Sequence, residues 1–223
     1  MQDPGYVRSA FARIASRYVL ANHVLSLGID LRWRRIVASE VKACAPARVL
    51  DMATGSGDLA AAIAKACPQA EIIGGDFCLP MLAEAKLRGV PRLIAADGMR
   101  LPFADGVFDV VTIGFGLRNM ASWPDASREL ARVLRPGGCL VVLDFSLPRG
   151  WLRGPYRYYL HKVLPRLAGL LTGERAAYEY LGGSIERFPS GPAMEAMLTG
   201  NGFANARTRP LSFGIASVYV ARK

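Results

Sequence analysis

Histidine is nearly absent from this chain, with two in 223 residues, and acids are scarce, with 18 Asp and Glu against 28 Lys and Arg. The four cysteines, Cys44, Cys67, Cys78 and Cys139, are scattered and show no Cys-x-x-Cys spacing. A zinc centre or a dithiol pair needs such clusters, so no metal is expected and the thiols read as small apolar residues of a reducing compartment. Long apolar runs are missing as well. No uninterrupted stretch approaches the roughly 18 to 20 residues that cross a bilayer. The opening residues, Met1-Gln2-Asp3-Pro4-Gly5-Tyr6-Val7-Arg8, lack the apolar centre of a secretory signal, which leads us to expect a cytoplasmic chain, free or lying on the inner face of the membrane. Internal repeats, low-complexity tracts and disordered linkers are absent too, and the length suits one domain with appendages.

What the chain has is apolar material and unevenly placed charge. Hydrophobic residues make up 52% and the formal net charge is +10. Residues 1–47 carry seven Lys/Arg against three Asp/Glu, residues 48–146 ten against eleven, and residues 147–223 eleven against four. The middle is neutral and the flanks are basic. Nucleic acid, an anionic membrane face or simple solubility would each account for that sign.

The neutral middle holds the most informative stretch, Arg48 to Leu59. Val49 and Leu50 run into Asp51, a loop follows with Gly55, Ser56 and Gly57, and Leu59 to Ala64 is good helix material. That is a buried strand, a tight turn and a helix start, with bare backbone on which a ligand can lie against helix-terminal N–H groups. Nineteen residues past Gly57 a second apolar run ends in Asp76, the distance at which an α/β nucleotide fold presents a carboxylate to ribose hydroxyls. Further strands are expected over 92–96, 110–114 and 139–143, ending in Asp97, Gly114 and Asp144, with helices over 31–44, 80–87 and 127–134 and a turn at Arg135-Pro136-Gly137-Gly138. Alternating strands and helices imply a parallel sheet with ligands at the carboxyl ends of its strands. An amphipathic helix is expected over Phe11 to Tyr18; it and the helix over 31–44 should cap the site. An aromatic, basic insert follows Pro148, then a helix over 191–200 and two strands, 203–209 and 214–221, that form an antiparallel pair.

Together, Asp51-x-x-x-Gly55-x-Gly57, Asp76, Asp97, Leu101-Pro102-Phe103-x-Asp105-x-x-Phe108-Asp109 and Leu134-Arg135-Pro136-Gly137-Gly138 resemble the class I S-adenosylmethionine-dependent methyltransferases. Phe11-x-x-Ile14-Ala15-x-x-Tyr18-x-x-x-Asn22-x-x-x-Ser26-x-Gly28-Ile29-Asp30, Gly114-Phe115-Gly116-Leu117-Arg118-Asn119 and Tyr178-x-Tyr180-Leu181-x-x-Ser184-Ile185 look like the quinone C-methyltransferases of menaquinone and ubiquinone biosynthesis. The resemblance implies a Rossmann-like α/β fold: a seven-stranded, mostly parallel sheet with an antiparallel last strand and helices on both faces. A helical cap (1–46) would precede the cofactor core (47–147), followed by a lid insert (148–190), a last helix and a strand pair (191–223). It implies S-adenosyl-L-methionine held by Asp51, Gly55, Ser56, Gly57, Asp76, Phe77, Asp97, Gly98 and Gly114. It also implies Arg118 and Asn119 in the chemistry, with Tyr18, Asn22, Tyr158, Tyr159, Tyr178 and Tyr180 toward the substrate. Gly114 stands where many members have serine, and Val19 where an aspartate is usual.

The implied substrate is a polyprenyl quinol, most simply demethylmenaquinol, with ubiquinone precursors as the alternative. A ring carbon becomes nucleophilic when a neighbouring phenol ionises, and a phenol with pKa about 10 needs a base or a fixed cation to do so near neutrality. Arg118 is a poor base, so the sequence assigns it the cation's part. His23 and His161 read as structural. The expected partners are the quinol and an anionic membrane surface, without nucleic acid and with a homodimer allowed. Three rivals remain at this point: an RNA or soluble-metabolite methyltransferase, an NAD-binding oxidoreductase built on Gly55-x-Gly57-x-x-Ala60, and a non-catalytic scaffold.

Overall fold

The computed structural model describes residues 28–172 and 175–223. The helix expected over Phe11 to Tyr18, with Tyr18, Val19, Asn22 and His23, lies outside the described residues. The elements follow from sequence pattern. Runs of Val, Ile and Leu form β1 (Arg48–Met52), β2 (Glu71–Asp76), β3 (Leu93–Ala95), β4 (Phe108–Gly114) and β5 (Leu134–Phe145), separated by α2 (Asp58–Ala66), α3 (Leu79–Leu87) and α4 (Trp123–Val133), with α1 (Ile29–Ala43) ahead of them. After the insert come α8 (Pro192–Thr199), β6 (Asn205–Leu211) and β7 (Ala216–Arg222). The sheet has seven strands in the order β3-β2-β1-β4-β5-β7-β6. The first five are mutually parallel, and β7 runs antiparallel between β5 and β6.

Both faces of the sheet are covered, and the period of two assigns each strand residue to one side. Leu50, Met52, Val111, Ile113, Leu140, Val142 and Tyr219 pack toward α4 and α8. Val49, Val110, Cys139, Val141, Leu143 and Val218 pack toward α1 and α2. Trp33, Val37 and Val41 are spaced one turn apart and all buried, so α1 belongs to the core layer beside α2. The same helix, expected to cap the site, also brings Arg34 to the cleft.

Several motif residues are fold hardware rather than site. Asp109 accepts hydrogen bonds from Ala47 N and Arg48 N, both 2.8 Å, tying the entry of β1 to β4. Asp105 pairs with Arg132 at 2.6 Å, and Phe103 meets Phe108 edge-on at 4.9 Å. The Arg135-Pro136-Gly137-Gly138 segment is strand, not turn. Phe108 pairs with Leu134, a bulge follows, and the register resumes at Val110 and Cys139. Gly137 and Gly138 are hydrogen-bonded to Lys223 on the other side.

The insert is one long helical run: a 3-10 turn (Gly150–Leu152), α5 (Arg153–Tyr158), a π-turn (Tyr159–Val163) and α6 (Leu164–Thr172), with α7 (Arg175–Arg187) packed against it. Pro165 has no N–H for the carbonyl of His161 and its ring crowds that oxygen, which accounts for the widened turn just before it. Leu160, Leu164, Ala168 and Ile185 form a small core of their own beneath Phe145 and Leu147.

Candidate active site

The order of the sheet reverses between β1 and β4, and at that switch point the loops after the two strands diverge and leave a crevice. The loop after β1 is wound by positive φ at Ala53 (54°), Gly55 (58°) and Gly57 (82°). Gly57 caps α2, and a Cβ there would stand 2.5 Å from Val90 Cγ2. Only glycine permits both that backbone and that contact. Asp51 holds the loop from beneath: its oxygens accept from Thr54 Oγ1 at 2.7 Å and from Thr112 Oγ1 at 2.6 Å, joining the loop to β4. Burial pushes its carboxyl up to about 6, with the two hydroxyls opposing.

Asp76 ends β2 on the other side of the loop. Its Oδ2 accepts from Gly55 N and its Oδ1 from Cys78 N, each at 2.9 Å. Burial raises its pKa against those amide bonds. An ionised carboxylate has about four lone-pair sites, so these bonds and the neighbouring amide of Phe77 still leave acceptor capacity. Asp76 faces a cleft of about 600 Å³ whose walls include Gly55, Ser56, Phe77, Gly114, Asn119 and Arg34. At Gly114 a Cβ would come 3.1 Å from Leu59 Cδ2.

Past β4 the chain turns through Phe115, a non-glycine residue at φ 59°, into a 3-10 turn over Leu117–Asn119. That turn sends Asn119 into the cleft and Arg118 inward. Arg118 Nη1 lies 2.7 Å from Asp144 Oδ1 at the end of β5 and donates to Phe115 O at 2.6 Å. Its guanidinium stands 5.3 Å from the Phe145 ring centre. The pair is buried, with 4% of the Arg118 side chain and none of the Asp144 side chain exposed. Burial raises the Asp144 pKa and Arg118 opposes the rise. The lid meets this turn directly, since Tyr180 on α7 donates to Asn119 Oδ1 at 3.3 Å and Asn119 Nδ2 donates to Phe115 O at 3.3 Å. On α5, Tyr156 stacks with Tyr159, their ring centres 6.3 Å apart. Burial and Tyr159 push its phenol up while the charge of Arg118 pulls it down.

The cleft thus gathers Gly55, Ser56, Asp76, Phe77, Gly114 and Asn119 from the expected site. Asp51 and Gly57 lie under the loop and shape it. Asp97 is exposed and its carboxylate accepts from Met99 N at 2.9 Å, while Gly98 is buried against Met120. Neither is in the cleft wall. Arg118 does not line it either, because the carboxylate of Asp144 draws the guanidinium inward. Tyr158, expected toward the substrate, is 63% exposed on the outer side of its helix. Tyr178 lies in α7. His161 is part-exposed, 3.1 Å from Glu186 on the insert's outer side. Arg34 on the cleft wall and Tyr156 were not singled out from sequence. The acid ending β5 was visible as a signal; its partner was not. Among the described residues no group of His, Cys, Asp and Glu is arranged to hold a metal ion.

Solved structures repeat this architecture. A Thermotoga maritima protein described as a possible histamine N-methyltransferase aligns with a TM-score of 0.66 at 18% identity, over 96% of this chain and 99% of that one. Human N-acetylserotonin methyltransferase, solved in complex with S-adenosylmethionine, aligns at 0.60 and 18% identity over 85% of this chain and 51% of its own. At such identities the likeness is one of fold. Sequence relatives lie much nearer. A Thermus thermophilus protein named demethylmenaquinone methyltransferase is 48% identical over 94% of this chain and 98% of its own. One of the same name from Deinococcus radiodurans is 44% identical over 100% and 95%. One from Syntrophotalea carbinolica, named ubiquinone/menaquinone biosynthesis C-methyltransferase, is 43% identical over 95% and 92%. A family model matches the glycine loop, the turn carrying Arg118 and Asn119, the insert and the final strand pair in one span from residue 2 to residue 223, and by that match the chain belongs to the ubiE/COQ5 methyltransferase family.

Proposed function

We propose that the protein transfers the methyl group of S-adenosyl-L-methionine to a ring carbon of a polyprenylated hydroquinone, converting demethylmenaquinol to menaquinol, at the cytoplasmic face of the inner membrane and without nucleic acid. The observation that carries the cofactor is Asp76, a buried carboxylate facing the cleft with acceptor capacity left for a ribose hydroxyl. The glycine loop beside it fits the same group, because backbone rather than side chain forms that wall. When bound, the cofactor supplies a methyl on a positively charged sulfur, which is already electrophilic. The names of the Thermus thermophilus and Deinococcus radiodurans relatives favour a menaquinone precursor over a ubiquinone one. No helix among the described residues is long and apolar enough to cross a membrane.

The chain's own part is to position and to exclude water. Asn119 faces the cleft with its amide fixed between Tyr180 and the Phe115 carbonyl, where it orients a ring oxygen. Arg118 acts behind it. Its cation, paired with Asp144, fixes the carbonyl of Phe115 and with it the loop that carries Asn119. The test is turnover of a short-tail demethylmenaquinol by the purified protein under reducing conditions, followed by mass analysis of the quinone. A product heavier by one methyl is expected. Asp76→Ala should weaken cofactor binding at least tenfold, since charge-assisted hydrogen bonds contribute about 1.5 to 3 kcal/mol each. Binding unchanged by calorimetry removes Asp76 from the site.

A further inference from the structure

The insert presents to solvent a surface that the described packing leaves uncovered. Trp151 is 82% exposed and Tyr158 63%. Seven residues, two helical turns, separate them, so they stand on one side of the run, opposite the side that buries Leu160, Leu164 and Ala168. Leu167 adds an exposed aliphatic side chain further along. From Leu147 to Thr172 there are five Lys/Arg and no Asp or Glu. Of these, Lys162 and Arg166 stand one and two turns past Tyr158 on its side of the run, and neither makes an ion pair among the described residues.

A second element brings another aromatic residue to the same edge. The turn between β6 and β7 abuts the start of the insert: a Cβ on Gly214 would be 3.3 Å from Pro148 Cα, and Ser146 Oγ donates to Gly214 O at 2.8 Å. At its tip Phe213 is 86% exposed with φ 60° and ψ 21°, next to Ser212 at φ 46°. A phenylalanine in the left-handed region costs energy, and here its ring gains almost no packing within the fold to offset that. Scattered exposed apolar residues need no explanation, but a tryptophan, a tyrosine and a strained phenylalanine on one edge with cations beside them do.

This edge also adjoins the active site. Ser212 accepts from Trp33 Nε1 at 3.0 Å. The Trp33 ring lies 6.1 Å from Phe115 and 6.2 Å from Phe145, and Phe115 is in the cleft wall. We infer that Trp151, Tyr158 and Phe213, with Lys162 and Arg166, form a docking face for the headgroup region of an anionic phospholipid bilayer, which seats the cleft next to the membrane. Amphipathic aromatic rings partition to that depth and unpaired cations meet its negative potential. This face rests on the lipid-borne substrate proposed above, and it assigns to that reading the surface by which the substrate arrives.

Sedimentation of the full chain with vesicles tests it. The protein is expected to pellet with equimolar phosphatidylglycerol and phosphatidylcholine and to stay in solution with phosphatidylcholine alone. Trp151→Ser/Phe213→Ser and Lys162→Ala/Arg166→Ala should each keep the wild-type melting temperature. The second pair should lose roughly thirtyfold in binding, about fivefold for each surface cation. Vesicle binding should also blue-shift the tryptophan emission of the wild type, and Trp151→Phe should abolish that shift, since Trp33 and Trp123 are not at this face. Methyl transfer to a soluble short-tail quinol should be unchanged in both pairs. If wild type binds no vesicle, binds both kinds equally, or binds as well with either pair replaced, the face is overturned. If instead the replacements only change the oligomeric state, the surface covers a second copy of the chain and the proposal fails. Absent methyl transfer with intact, variant-sensitive vesicle binding would sink the proposed reaction and leave the docking face standing.

Discussion

Asp144 and Arg118 are buried as a pair, and removing one partner strands the other charge away from water. Asp144→Ala is expected to lower unfolding free energy by about 3 to 5 kcal/mol, the usual cost of breaking a buried ion pair from one side. Denaturant titration reads it, and Arg118→Met/Asp144→Leu should recover most of the loss, because no unpaired charge is then buried. A single-variant loss below about 1 kcal/mol would mean the pair is hydrated. Asp51 gives a second residue-scale test, with the sign fixed by its environment. Its pKa is about 6 in the fold against 3.8 as the ordinary value, so the folded state holds this proton more tightly than the unfolded one. Its contribution is fully present below about pH 4 and is lost as pH rises through about 6. At neutral pH that amounts to on the order of 3 kcal/mol at most. The melting temperature of wild type minus that of Asp51→Asn should therefore grow as pH falls from 6 to 4. A difference flat with pH would show that Asp51 titrates normally.

At the scale of elements, α7 is tied to the turn after β4 through Tyr180 and Asn119. Tyr180→Phe removes a neutral hydrogen bond with a net contribution of about 0.5 to 1.5 kcal/mol. It should raise KM for the quinol several-fold while leaving cofactor affinity in place, because Asp76 and the glycine loop lie across the cleft. Equal losses in both would make α7 a general prop rather than a lid. What could be read from sequence divides along similar lines. β1, β2 and β4 were legible because strands buried on both faces are continuous apolar runs, and the glycine loop because its spacing fixes backbone. The start of α4 at Trp123 carried a signal in Ser122, whose hydroxyl accepts from Asp125 N, with Pro124 in the first turn. The strand through Arg135–Gly138 carried none, since its pairing comes from Phe108 and from residue 223, distant in the chain. The Arg118–Asp144 pair was illegible for the same reason. Its members are 26 residues apart and meet only because β4 and β5 are neighbours in register. Arg118 therefore looked like an open cation when its charge is answered within the fold.

For the whole molecule, the cleft is where the sheet's two halves diverge, and its walls come from α1 and from the ends of β1, β2 and β4. A ligand seated there bridges all of these elements, so its binding should register in global stability. With S-adenosylmethionine at a hundred times its Kd the stabilisation is about 2.7 kcal/mol. In a chain of this length each kcal/mol moves the midpoint by about 2 to 4 °C, which gives an expected rise in Tm of about 5 to 10 °C by scanning calorimetry. Asp76→Ala at the same concentration, with affinity at least tenfold weaker, should show roughly half that rise or less. NAD should give none, because the third and fourth sides of the cleft offer Asn119, Phe115 and the bare backbone of Gly114 and Gly116 rather than a second nucleotide pocket. An equal rise with NAD, or an Asp76→Ala protein that shifts as far as wild type, would place the cofactor's ribose somewhere other than at the end of β2.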